Sequence, residues 1–404
     1  MAINAARDKF KFSLLTVSVM LSFFIINIYT SATLFFFFIT IYTVLKVFTG
    51  EQAFVLDISI IFLMLFTFTY VGISLQYGYF DLQLAVKHIA YFAVLYILGK
   101  YIGEFQEMQI QYVLYIMTLS LALVSILGVF YTESVASKQY MTLHRGAFVP
   151  WQGSGAFSSA TLLGSYLALG ISLFGLAFIK SPIVLRIMNL GTSIVSVYAS
   201  IELANRTGLL LAGISFLVIF LLRMRFSSTK NLMVSFLVLF LQIVIIAGLF
   251  NMDFMGISEA WEHSSTYQRM QKSDLTTDPR FEAWGIVLQG LIDDPMGGKV
   301  ARLNIGFAHN LWLDVGYNTG VIPLFFLVLF TLLVIYNFTE IFGSLYYSPY
   351  MKLLLGALLT GFLLTFMVEP IMGNIILVTI FCFFSGIISS MENTAKENER
   401  VMEY

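Results

Sequence analysis

His309 and Asn310 stand side by side, with Asp314 close behind, just ahead of the apolar run Val321 to Tyr336. An imidazole with an ordinary pKa of about 6.5 can take a proton from a hydroxyl, and Asn310 and Asp314 are close enough in sequence to orient it. Three arginines are the matching candidates for holding negative charge. Arg206 lies in Ile201-Glu202-Leu203-Ala204-Asn205-Arg206-Thr207-Gly208-Leu209, where two apolar stretches meet with almost no loop between them. Arg280 opens Pro279-Arg280-Phe281-Glu282-Ala283-Trp284-Gly285-Ile286-Val287-Leu288, whose helical spacing puts Phe281, Trp284, Val287 and Leu288 on one face, with Asp278 or Pro279 at its start. A helix N-terminus already favours anions, and a guanidinium there adds a planar fork suited to phosphate. Arg145 sits among glycine and aromatics in His144-Arg145-Gly146-Ala147-Phe148-Val149-Pro150-Trp151, where it could touch phosphate or sugar.

Each group also has a plainer reading. Arg206 could pair with Glu202, four residues earlier on a shared helix face. Arg280 could be a solvated loop arginine paired with Asp278 or Glu282. His309 could be a packed or headgroup-facing residue, and Arg145 an ordinary exposed loop residue. The Asn205-Arg206-Thr207 sequon lies too close to an apolar span to be a credible glycosylation acceptor.

The elements that must position these groups follow from composition. Of 404 residues, 59% are hydrophobic and only 11% charged, against roughly a quarter charged in soluble domains. Apolar stretches of about 18 residues or more recur along the chain, each long enough to cross the hydrocarbon core as a helix. The expected fold is therefore an all-α polytopic membrane protein with about twelve transmembrane helices. The spans are Leu14–Ile28, Ala32–Phe48, Val55–Ile73, His88–Ile102, Tyr112–Tyr131, Thr161–Ile179, Val184–Leu203, Gly208–Leu222, Leu232–Phe250, Gly320–Phe338, Leu353–Val368 and Met372–Met391. No repeat or linker divides the chain, so residues 1–404 read as a single integral membrane domain.

Alternating spans collect Lys46, Lys100, Lys180, Arg186, Arg223, Arg225, Lys230, Lys352, Lys396 and Arg400 on one side with the N-terminal Arg7, Lys9 and Lys11. By the positive-inside rule that side is the cytoplasm, and both termini lie there. The first span follows a basic stretch as a signal peptide would, but without a clean cleavage site it reads as a retained anchor. Two exported segments are long, Thr132–Phe157 and Asn251–Thr319. The second, residues 251–319 in a large periplasmic loop, is expected to carry short amphipathic helices on the bilayer surface, one of them from His309 to Tyr317.

Several function classes fall away. A net charge of −1 gives no general nucleic-acid surface. The four histidines are scattered and Cys382 is alone, so no metal ligand set and no internal disulfide is expected. No nucleotide fingerprint and no glycosidase-type carboxylate pair occurs. What remains is fixed positive charge and one base at the exported edge of a helical bundle. That pattern suits transfer of a glycosyl group from a polyprenyl diphosphate, whose activated leaving group requires no nucleotide sugar.

On these residues the chain resembles the O-antigen polymerase and O-antigen ligase superfamily. The resemblance is carried by Asn205-Arg206-Thr207 opening a span, by Arg280-Phe281-Glu282-Ala283-Trp284 with Pro295 and Gly297-Gly298 following, and by His309-Asn310-Leu311-Trp312-Leu313-Asp314 before a span at Gly320. It covers the second half of the chain; the first half matches only in being hydrophobic. It implies a fold related to the C-type membrane glycosyltransferases, an exported active site, no metal and no cofactor. It assigns Arg206 and Arg280 to the lipid diphosphate and His309 to the acceptor hydroxyl. Arg145, Trp284, Asn310 and Asp314 are the further candidate substrate contacts. The implied partners are undecaprenyl-diphosphate-linked oligosaccharides, membrane lipid and a chain-length regulator protein, in the bacterial inner membrane. The stretch from Ala308 to Asp314 with Ile322-Pro323 looks more like the polymerases, which extend a lipid-linked repeat unit, than the ligases, which cap the lipid A core. A transporter or flippase would more commonly show internal repeats and polar groups at mid-span.

Overall fold

The computed structural model describes residues 2–28, 31–48, 57–136, 138–179, 181–226, 262, 264, 267, 279–297, 305–373 and 375–402. The described residues are helical almost throughout, in keeping with an apolar sequence that must satisfy its backbone groups internally. Its helices are α1 (Ala2–Ile26), α2 (Ser31–Phe48), α3 (Ile58–Gln76), α4 (Leu82–Gly103), α5 (Glu107–Val135), α6 (Lys138–His144), α7 (Ala160–Ser172), α8 (Ile183–Glu202), α9 (Arg206–Met224), α10 (Pro279–Asp293), α11 (Leu311–Thr319), α12 (Val321–Gly343), α13 (Pro349–Val368) and α14 (Ile375–Met402).

Among the described residues, eight helical stretches are long and apolar enough to cross a membrane: α3, α4, α5, α7 with its 3-10 continuation to Ala177, α8, α12, α13 and α14. The chain is thus a multi-pass membrane protein. Shorter apolar helical stretches, Leu14–Ile26, Leu34–Thr43 and Gly213–Met224, coincide with three more of the expected spans. The expected span Leu232–Phe250 lies outside the described residues, as does most of the segment from Asn251 to Asp278.

Short polar residues mark where helices begin. Asp57, Asp81, Ser159, Asn205, Asn310 and Ser348 each accept a bond from a backbone N–H of the first turn. In so apolar a chain these caps are the clearest punctuation. Packing then sorts the helices: α14 runs along α4, α12 along α3, and α7 is enclosed by α5, α8, α9 and α13. Between α12, α13 and α14 the core is aromatic, with Phe381 lying 5.3 Å from Phe362, 5.0 Å from Phe366 and 6.0 Å from Phe330, ring centre to ring centre. Lipid tails are as apolar as these rings, so close packing and not exclusion from water holds them together.

Among the described residues, one two-stranded sheet interrupts the helices, between α6 and α7. Gly146–Phe148 (β1) pairs antiparallel with Phe157–Ser159 (β2), Gly146 opposite Ser159 and Phe148 opposite Phe157. The hairpin is tied to α5 by the Phe148 N–H donating to Thr132 Oγ1 at 2.8 Å.

The two ends of the bundle differ. At one end Asp57 caps α3 and accepts from Tyr96 Oη at 3.0 Å, Lys100 Nζ at 2.7 Å and Ser389 Oγ at 2.8 Å, joining α3, α4 and α14. Glu107 accepts from the Ser348 backbone N–H at the same end, where the sequence places Lys100, Lys352 and Lys396. The hairpin, the α8–α9 turn, α10 and α11 occupy the other end.

Candidate functional site

The candidate site grows from three short segments, each held by its own local chemistry. In the first, α8 stops at Glu202 and the chain turns through Leu203 and Ala204, the latter at φ 53°. Asn205 then caps α9 by accepting from Gly208 N–H at 3.2 Å, so Arg206 is the first residue of the new helix. Glu202 and Arg206 therefore lie on different helices, one ending α8 and the other opening α9. Asn205 is buried against Gly164 of α7, where a Cβ would fall 1.5 Å from its Nδ2. Only a residue without a side chain leaves room for the cap.

The second segment is α10, which starts at Pro279 as expected. Its inward face differs from the expected one. Val287 and Leu291 are buried and Trp284 half-buried, while Phe281 and Leu288 are exposed. Apolar residues surround much of this helix, so spacing alone does not fix the face. The Trp284 indole N–H does, by donating to the Ala308 carbonyl at 2.7 Å.

Ala308 begins the third segment. Asn310 caps α11 by accepting from Leu313 N–H at 3.1 Å, so the helix starts at Leu311 and excludes His309. His309 instead adopts φ 55°, an uncommon left-handed conformation for a side-chain-bearing residue and one that over-determined loops at functional sites can sustain. Asp314 holds this loop from below: its Oδ1 accepts from the Ala308 N–H at 2.6 Å. The Asp314 side chain thus fixes the backbone beside His309. Its other oxygen meets no partner among the described residues. Burial pushes the Asp314 carboxyl up to about 7, against the opposing pull of backbone N–H groups at Ala308 and Asn310.

Long-range bonds bring the segments together. Arg280 donates from Nη1 to Thr207 Oγ1 at 3.3 Å and pairs through Nη2 with Glu369 Oε1 at 3.6 Å. Asn310 Nδ2 donates to the Met367 carbonyl at 3.3 Å, within the same α13 terminus that carries Glu369. Trp284 follows Arg280 by one turn of α10 and reaches the residue before His309. The start of α9, the first turns of α10, the His309 loop and the end of α13 therefore form one locus. Arg145 stands apart from these bonds: it is exposed at the hairpin entrance, at φ 51°, with its carbonyl accepting from Ala160 N–H at 2.7 Å.

Thr207 and Glu369 are members of this locus that the sequence reading did not single out. The signal for Glu369 was present, since a carboxylate at the edge of an apolar span is costly unless it has a partner.

A raised carboxyl pKa has a consequence for stability. Asp314 binds its proton more tightly in the folded chain than in the unfolded one, so its stabilising contribution is complete below about pH 4 and fades as pH rises through about 7. Asp314→Asn keeps an acceptor for Ala308 N–H and cannot titrate. The melting temperature of the variant is expected to depend less steeply on pH across that window than that of the parent chain. Parallel profiles would show that Asp314 is ionised throughout.

No protein-family model matches this chain, and no curated protein matches it in sequence.

Proposed function

We propose that the chain is a membrane glycosyltransferase, an O-antigen polymerase that transfers a glycan from undecaprenyl diphosphate to a lipid-linked repeat unit. The observation that carries the reading is the convergence of Arg280, the helix start headed by Arg206, and the His309 loop at one end of a multi-pass bundle.

In this reading the bundle end carrying the locus faces the periplasm, and the end carrying Lys100, Lys352 and Lys396 faces the cytoplasm of a bacterial inner membrane. Arg206 and Arg280 stabilise the diphosphate as negative charge develops on it. His309 accepts the proton of the acceptor hydroxyl as its oxygen bonds to the anomeric carbon and the carbon–diphosphate bond breaks. Atoms and charge balance: the products are the extended glycan, undecaprenyl diphosphate and a protonated imidazole that must lose its proton before the next cycle. The first turn of α9 adds its free N–H groups to the same field. The exposed Arg145 on the hairpin is placed to meet the outer part of a glycan chain or lipid headgroups, and a chain-length regulator protein is the partner that would set product size.

The test is direct. Purified protein in bilayer discs, given undecaprenyl-diphosphate-linked repeat units, is expected to produce a ladder of longer glycans. Transfer only to added lipid A core would make it the ligase, which shares the donor chemistry and differs in the acceptor. Accumulation of repeat units across a vesicle membrane with no new glycosidic bond would make it a transporter. His309→Ala is expected to lower the rate about 10²-fold or more and to remove a limb of the pH profile. Full turnover across a pH series would reduce His309 to a loop residue.

A further inference from the structure

Glu369 is buried at the end of α13, with only 4% of its side chain exposed, whereas the Arg280 side chain it pairs with is 25% exposed. The carboxylate is thus on the protected side of the guanidinium, and an anion arriving from outside meets the arginine first. Their separation of 3.6 Å is longer than the roughly 2.8 Å of a tight charge-assisted hydrogen bond. Glu369 acts on Arg280 chiefly as a charge, while Thr207 Oγ1 supplies a second fixed contact.

Building on the proposed transfer reaction, we infer that Glu369 is a positioning residue that loosens the site's hold on the departing diphosphate. The chemistry creates the need. When the glycosyl bond breaks, the diphosphate keeps the bonding electrons and carries one more negative charge than it did in the donor. Two unopposed arginines would therefore bind the product more tightly than the substrate, and release would limit every cycle after the first. A buried carboxylate behind one arginine repels both anions, and repels the more highly charged product more. A negative charge on the far side of a guanidinium from a phosphate, at a partly screened site, alters affinity by roughly tenfold.

Inorganic pyrophosphate is the probe, titrated calorimetrically into the purified full-length chain. Glu369→Gln is expected to bind it about tenfold more tightly than the parent. In the transfer assay the rate of later turnovers relative to the first should fall in the same variant. A purely structural role would weaken binding, so a gain in affinity is the diagnostic result. Glu369→Met, of similar length and with no polar group to leave unpaired, must shift in the same direction and carries the test if the amide is not tolerated. Glu369→Asp keeps the charge and should stay within about threefold of the parent. Unchanged or weaker binding in the Gln and Met variants overturns the inference. Arg280→Ala separates the two levels: if it loses pyrophosphate while the neutral Glu369 variants match the parent, only the role of Glu369 fails. If the parent binds no pyrophosphate, or Arg280→Ala binds it equally well, the phosphate-holding reading of Arg280 itself fails.

Discussion

Arg280→Ala is expected to lower glycan transfer by about 10²–10³-fold while the protein still inserts and melts as a single species. The magnitude is that of removing one preorganised donor from a site of developing negative charge. Arg280 suits the role because its guanidinium is fixed before substrate arrives, by Thr207 at 3.3 Å and Glu369 at 3.6 Å, so little reorganisation is left for the reaction step. Arg280→Lys keeps the charge and loses the planar fork, so it should fall between the parent and the alanine variant. The removal also leaves Glu369 as a buried carboxylate without this partner, which costs stability. A double variant, Arg280→Ala with Glu369→Gln, separates the effects: it should recover melting temperature and not activity. Normal glycan ladders from Arg280→Ala would remove the arginine from the mechanism.

Gly320→Ala is expected to be strongly damaging. Gly320 joins α11 to α12 at φ 85° and ψ −174°, a conformation open essentially to glycine alone. A Cβ there would lie 2.5 Å from the Pro295 carbonyl oxygen and 2.6 Å from that of Met296, and backbone cannot swing aside as a side chain can. The adjacent Val321 N–H donates to that same Pro295 carbonyl at 2.9 Å, so the clash falls on the bond that ties the end of α10 to the start of α12. Strain and overpacking together cost about 3 kcal/mol. The expected readout is a lower melting temperature together with faster proteolytic cleavage within α10, and loss of transfer because α10 carries Arg280. Wild-type protease resistance in a variant that has lost activity would mean that Gly320 acts by some route other than α10.

Much of the scaffold was legible because hydropathy reports spans directly, and the expected boundaries fall on α3, α4, α5, α8, α12 and α13 to within a few residues. The candidate residues Arg206, Arg280 and His309 were legible as types at an unusual place, polar groups gathered at one edge of otherwise clean spans. Their exact settings were not. His309 was expected inside a short helix, yet Asn310 caps that helix and leaves the histidine in a left-handed turn. The four-residue spacing of Glu202 and Arg206 suggested a shared helix, and the chain instead turns through Leu203 and Ala204 between α8 and α9. The face of α10 was set by one indole reaching a carbonyl in a distant loop, which periodicity cannot foresee. The strands β1 and β2 are three residues each, too short to show an alternation. Glu369 stands out in sequence only as a costly carboxylate at a span edge, and its partner is illegible because an ion pair between residues far apart leaves no local pattern.

The tethers to Met367 and Glu369 bear on when the locus can exist at all. While the ribosome is still making the preceding helices, a growing chain already contains its arginines and its histidine, but not the carbonyl and carboxylate that Asn310 and Arg280 reach. Assembly must wait until α13 has entered the bilayer, so a nascent chain arrested before that point would lack the assembled locus.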